Sequence, residues 1–84
     1  MSEKQVFDVL YHELDLTMGR KVWRVITVES VDRHSAKRNV AKMLRAIERG
    51  SSVRLFPVVS QVGQPGQFDS LIGKPLRFSD RAWS

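Results

Sequence analysis

The sequence predicts an α+β fold, a small two-layer arrangement with one amphipathic helix on a largely antiparallel sheet of three or four strands, in the order β-β-α-β(-β). Three observations predict it. Residues 6–14 and 22–31 are dense in β-branched and aromatic side chains and flank a polar, glycine-containing connection. Residues 32–50, DRHSAKRNVAKMLRAIERG, repeat their apolar side chains at helical spacing. A third β-rich run, residues 53–61, follows that helix.

Residues 6–14, VFDVLYHEL, read as the first strand, being rich in β-formers and short for a helix. Residues 15–21, DLTMGRK, contain Gly19 and suit a hairpin connection longer than two residues. Residues 22–31, VWRVITVESV, are the strongest strand of the chain. Neither of its faces is cleanly apolar: Ile26 and Val28 point one way, and Trp23, Val25 and Val31 the other. A bulge, or cover on both faces of the sheet, accounts for that pattern.

The helix is expected over residues 33–49. Asp32 fits its N-cap, where a carboxylate accepts from free backbone N–H groups and is favoured by the helix dipole. Ala36, Val40, Met43, Leu44 and Ile47 form the apolar stripe, and Gly50 is placed just past the end, in the left-handed conformation that stops a helix. Residues 53–61, VRLFPVVSQ, follow as a third strand. Pro57 lacks a backbone donor, which predicts a sheet edge or a bulge there. Residues 63–74 form a long loop whose Phe68, Leu71 and Ile72 fold back on the body. Residues 75–79 are the candidate fourth strand, and residues 80–84 a tail whose Trp83 either docks on the body or meets a partner.

With 84 residues the chain has apolar material for one core, hence one domain over residues 1–84. There is no cysteine, so disulfides and thiolate metal sites are excluded. The N-terminal stretch lacks a cationic segment followed by an apolar run, and no apolar run reaches the roughly 20 residues that span a bilayer. The reading is a cytoplasmic protein. Its net charge of +5 is unevenly placed: residues 1–16 carry −3, residues 17–54 carry +7 and the remainder +1. A basic middle favours an acidic partner, whether nucleic acid or an acidic protein surface.

The stretch VITVESVDRHSAKRNVAKML resembles a "V-x-V-x-A-x-S-x-x-x-A-xx-x-A" signature found in a loose family of small phage and mobile-element proteins. Those open with a β-hairpin whose second strand runs into a helix, and several small anti-CRISPR proteins share the layout. Val28, Val31 and Asp32 fall in the strand-end and cap positions, and Ala36 and Val40 face inward. The resemblance covers residues 6–47 and departs from the pattern at Asp32, where serine is commoner. It implies a hairpin-then-helix fold and a phage or mobile-element setting; the element order by itself is also compatible with a β-grasp-like fold. It carries no binding residue over.

Candidates for chemistry are few. In a strand, His12 and Glu13 point to opposite faces and cannot act on one substrate together. His34 stands in the first helical turn, where a solvated role is its ordinary one, and two histidines without repeated acidic spacing do not make a metal site. No phosphate-cradling glycine motif is present, and no nucleophile has a recognisable base beside it. The expectation is a non-catalytic protein with no cofactor and no metal.

The basic helix face is the candidate partner-binding site. Arg38, Lys42, Arg45 and Arg49 gather within about 60° of arc opposite the apolar stripe, and Glu48 is the only acid of the helix. Charge belongs on the outer face of any helix lying on a sheet. Yet Arg38–Lys42 and Arg45–Arg49 are like-charge pairs four apart, each costing a few tenths of a kcal/mol. Trp23 and Arg24, with Lys21, and Arg54 with Phe56, add basic–aromatic pairs of the kind that stack single-stranded bases, although aromatics in a domain this small are ordinarily core. Two functions follow. One is an interaction protein that inhibits a host nucleoprotein complex by gripping an acidic protein surface, with an anti-CRISPR protein as its specific form. The other is a small basic regulator that binds DNA or RNA through the helix face 38–49.

Overall fold

A computed structural model describes residues 3–76. The fold is α+β: β1 (Gln5–Asp15), β2 (Arg20–Ser30), α1 (Arg33–Gly50) and β3 (Val58–Gly63), followed by a short 3-10 turn, Asp69–Leu71. β1 is the central strand of an antiparallel sheet ordered β2-β1-β3. The hairpin runs in unbroken register from Gln5 opposite Ser30 to Asp15 opposite Arg20. Its turn is held by the Asp15 side chain, which accepts from the N–H groups of Thr17 at 2.8 Å and Met18 at 3.0 Å. Gly19 then takes φ +69, open to glycine at little cost.

The mixed pattern of β2 resolves into cover on both faces. On one face Phe7, Val9 and Tyr11 of β1, with Ile26, Val28, Val59 and Val62, pack against Ala36, Val40 and Leu44 of α1. On the other, Leu10, Trp23 and Val25 pack against Phe68, Leu71 and Leu76 of the chain after β3. That second cover is anchored at two points. Asp8, itself buried, accepts from the Gly66 N–H at 2.9 Å and from the Thr27 hydroxyl at 2.7 Å. Lys74 and Leu76 hydrogen-bond across to Trp23 and Lys21, which among the described residues gives the outer edge of β2 one bridge, Val22 to Pro75. Of the expected fourth strand, residues 75–76 carry this bridge, and residues 77–79, like the tail and Trp83, lie outside the described residues.

Asp32 caps α1 as expected, its carboxylate accepting from the Ser35 N–H at 2.7 Å. The apolar stripe is narrower than the sequence reading: Ala36, Val40 and Leu44 are buried, but Met43 is 38% and Ile47 61% exposed. The buried residues are four apart, and each such step advances about 40° around a helix of 3.6 residues per turn. The contact line therefore rotates towards Ala41 and Glu48, which are half-buried, and leaves Met43 and Ile47 outside. Gly50 is also corrected. It is the last helical residue, and Ser51 ends the helix in extended conformation, φ −100. The left-handed residue sits further on, at Phe56 with φ 52.

The third strand begins later than expected, at Val58, directly after Pro57. It does lie at the sheet edge. It also carries an irregularity, since Leu10 pairs with Gln61 and Tyr11 with Val59, so that Ser60 is the extra residue. Ile72, expected to fold back with Phe68 and Leu71, is exposed. Leu44→Ala is expected to lower the unfolding free energy by about 2–3 kcal/mol, the low end for such a truncation, because the side chain borders an open groove rather than a sealed core. Urea titration followed by far-UV circular dichroism measures it, and a loss under about half a kcal/mol would contradict the burial of Leu44.

Candidate partner-binding surface

The outer face of α1 is built by the same periodicity that buries Ala36, Val40 and Leu44. Arg38, Lys42, Arg45 and Arg49 all project from the exposed side. None of the four has an ion-pair partner among the described residues, where the side-chain ion pairs all belong to Arg24. Lys42, Arg45, Ala46 and Arg49 border a shallow depression of about 280 Å³.

Glu48 does not neutralise this face. It lies on the flank of α1 that turns towards β3, and its two carboxylate oxygens accept from the backbone N–H groups of Leu55 and Phe56, each at 3.3 Å. The helix's single acid thus closes the turn that follows the helix. It steadies the chain at the point where Phe56 is held in the left-handed region, which costs a bulky residue roughly 1–2 kcal/mol. Leu55 in turn accepts from the Leu14 N–H at 2.8 Å, tying the turn to β1.

The remaining two candidates sit elsewhere. Trp23 is 4% exposed, packed with Leu10 and Phe68 and edge-on to His12 with ring centroids 5.5 Å apart, so it offers no surface to a partner. This corrects its reading as a contact residue. Its burial follows from the second cover, whose source the hairpin's own pattern does not identify. Arg24, on the opposite face of β2, is ion-paired with Asp15 at 3.0 Å and Glu13 at 3.7 Å, so its charge is already met. The basic–aromatic stacking pair of Trp23 and Arg24 is therefore not formed as a surface. Phe56, by contrast, is 59% exposed, and Arg54 beside it is exposed as well.

Between α1 and β3 lies a groove of about 240 Å³ lined by Ala41, Leu44, Arg45, Glu48, Phe56, Pro57 and Val59. Sequence reasoning missed it. The available signal was Pro57 beside an aromatic residue, ahead of an edge strand that follows an amphipathic helix.

Asp15, Asp32 and Tyr11 are shifted from their ordinary pKa values by their local surroundings. The Met18 N–H, with lesser help from Arg24 and the Thr17 N–H, holds the Asp15 carboxyl below its ordinary value, and the Ser35 N–H and hydroxyl do the same for Asp32. Burial first, and then the Glu13 carboxylate, push the Tyr11 phenol up, against the opposing pull of Arg24. Because the folded protein holds both aspartates below their unfolded values, their contribution to stability is present above about pH 4 and is lost as pH falls through the lower folded values. The urea midpoint should therefore decline on acidification from pH 5 to pH 2. In the Asp15→Asn, Asp32→Asn double variant that decline should flatten, and an unchanged slope would contradict the two contacts.

Among the described residues no group of three or more His, Cys, Asp or Glu is placed to hold a metal ion, and no helix is long and apolar enough to cross a membrane. No protein-family model matches the chain, and no curated protein or solved structure matches it either.

Proposed function

We propose that this chain is a non-catalytic binding protein of the phage or mobile-element type, which inhibits a host nucleoprotein complex by gripping an acidic protein surface with the outer face of α1. An anti-CRISPR protein is the specific form of that reading. The observation that carries it is the set of four helix cations with no ion-pair partner among the described residues, on a helix whose only acid is committed to the turn at Leu55 and Phe56. Like charges four apart are mildly unfavourable for the helix itself, so a partner that supplies anions gives them a use. A basic inhibitor does not imitate nucleic acid. It holds an acidic patch of the target instead.

A second reading, a small nucleic-acid-binding regulator, draws on the span of Arg38 to Arg49, about 16 Å along the helix at 1.5 Å per residue. It lacks the stacking platform that the sequence offered at Trp23, which is buried. The two readings separate on salt. Neutralising phosphates with four cations releases counterions, so log affinity for an oligonucleotide would fall against log salt with a slope of about −3 to −4. The expected result is weak binding to bare 20-mer DNA and RNA at 150 mM salt, with capture of the target from nuclease-treated host lysate preserved. Sub-micromolar oligonucleotide binding with the steep slope would overturn the inhibitor reading in favour of the regulator.

A further inference from the structure

The groove between α1 and β3 lies beside the sheet's edge strand. β3 pairs on one side only, with β1, and its outer edge makes no backbone hydrogen bond to any other described residue. Such an edge is a template for one more strand. Beside it stands an apolar recess formed by Ala41 and Leu44 of α1 with Phe56, Pro57 and Val59. Arg45 borders both this recess and the cationic depression shared with Lys42 and Arg49. The recess's one acid, Glu48, is occupied by the Leu55 and Phe56 N–H groups. An open strand edge, an apolar recess and a cationic rim therefore lie side by side.

We infer that β3 accepts an extended, acidic peptide segment of the partner as an added strand, with an apolar side chain seated on Leu44, Phe56 and Val59 and carboxylates on Arg45, Lys42 and Arg49. In strand addition the main-chain hydrogen bonds supply affinity, while alternate side chains entering pockets supply selectivity. The sign of the rim selects the occupant. A second copy of this chain, paired symmetrically through β3, would bring Lys42, Arg45 and Arg49 towards their own equivalents and be repelled. The outer edge of β2 is the poorer acceptor, since Lys74 and Leu76 already bond to it at Lys21 and Trp23. The inference rests on the proposed function for the use of the basic face, and it names the shape of what that face meets.

The test begins with a degenerate library of blocked eight-residue peptides passed over the immobilised full chain. Enriched peptides are then measured by calorimetry and by amide hydrogen exchange of the complex. Support would be enrichment of Asp and Glu together with Leu, Ile, Val or Phe, and new protection of β3 amides. Ala41→Phe, which fills the recess without changing charge, should weaken binding at least tenfold. N-methylation at alternate peptide positions should weaken it similarly, and that arm needs no protein variant. A library with no enrichment, or binding indifferent to both Ala41→Phe and N-methylation, would sink the strand-addition model. The basic-face reading would survive that outcome if Arg38→Glu still abolished capture of the target. Conversely, strand addition intact with target capture indifferent to charge reversal would retire the basic-face reading alone. Protection of β3 that grows with protein concentration in the absence of peptide would assign the edge to self-association and overturn the proposal. Displacement of the peptide by a bare oligonucleotide that takes the same groove would overturn it too.

Discussion

Phe68→Ala is expected to remove about 3–5 kcal/mol of unfolding free energy, a large share of the 5–15 kcal/mol typical of a domain. Phe68 is 1% exposed and is among the largest fully buried side chains of the chain. It fills the space over Leu10 and Trp23, with Val25, Leu71 and Leu76 around it. Without the ring, the described chain after β3 keeps the Gly66–Asp8 bond, the short run of backbone bonds to β2 and the flanking contacts of Leu71 and Leu76, and a cavity opens above Trp23. Urea unfolding followed by far-UV circular dichroism would register the loss. Gly63→Ala approaches the same site from β3, because a Cβ at Gly63 would collide with the Gln67 amide and come within 2.8 Å of the Phe68 ring. Both variants should be destabilised together. A cost for Phe68→Ala below about 1 kcal/mol would mean that the second cover detaches without disturbing the hairpin, so that the cooperative core is the helix side alone.

That second cover also shows where the sequence is legible and where it is not. The hairpin, its turn at Asp15–Gly19, the helix and its Asp32 cap are all local, set by neighbours within a few residues, and all were readable. The two-faced pattern of residues 22–31 was readable too, as a demand for cover on both sides. The return of Phe68 and Leu71 from residues 63–74 onto the body was readable as well, but not the face they cover, because their contacts to Leu10 and Trp23 are remote in sequence and start from a stretch with three glycines and a proline. The same limit explains Met43 and Ile47. They match the helical period as well as Val40 and Leu44 do, and only the roll of α1 towards β3 decides that they stay outside. Of the candidate site, the four helix cations follow from periodicity alone. Trp23 was misjudged because burial depends on a segment some forty residues away, and Arg24 because its partners Asp15 and Glu13 face it across the hairpin. The commitment of Glu48 to the turn depends on where residues 55 and 56 return, a tertiary fact with no local trace.

Reversing charge on α1 should have the largest effect on binding and the smallest on stability. Arg38 and Arg45 are exposed and unpaired among the described residues, so Arg38→Glu with Arg45→Glu removes no buried contact. It also replaces the like-charge spacings Arg38–Lys42 and Arg45–Arg49 with opposite-charge ones, each worth a few tenths of a kcal/mol to a helix. The melting temperature should stay level or rise slightly. Against an acidic partner, however, two attractions become repulsions, and like-charge juxtaposition at an interface costs several kcal/mol. Partner binding should fall by at least an order of magnitude. The fall should shrink as salt rises from 50 to 500 mM, because screening shortens the reach of exposed charges to a few ångströms at that strength. Lysine replacements at the same two positions keep the charge and should retain most of the binding, apart from any bidentate arginine contact. Binding unmoved by the double reversal, with the fold intact by circular dichroism, would reduce the cationic face of α1 to a solvated surface.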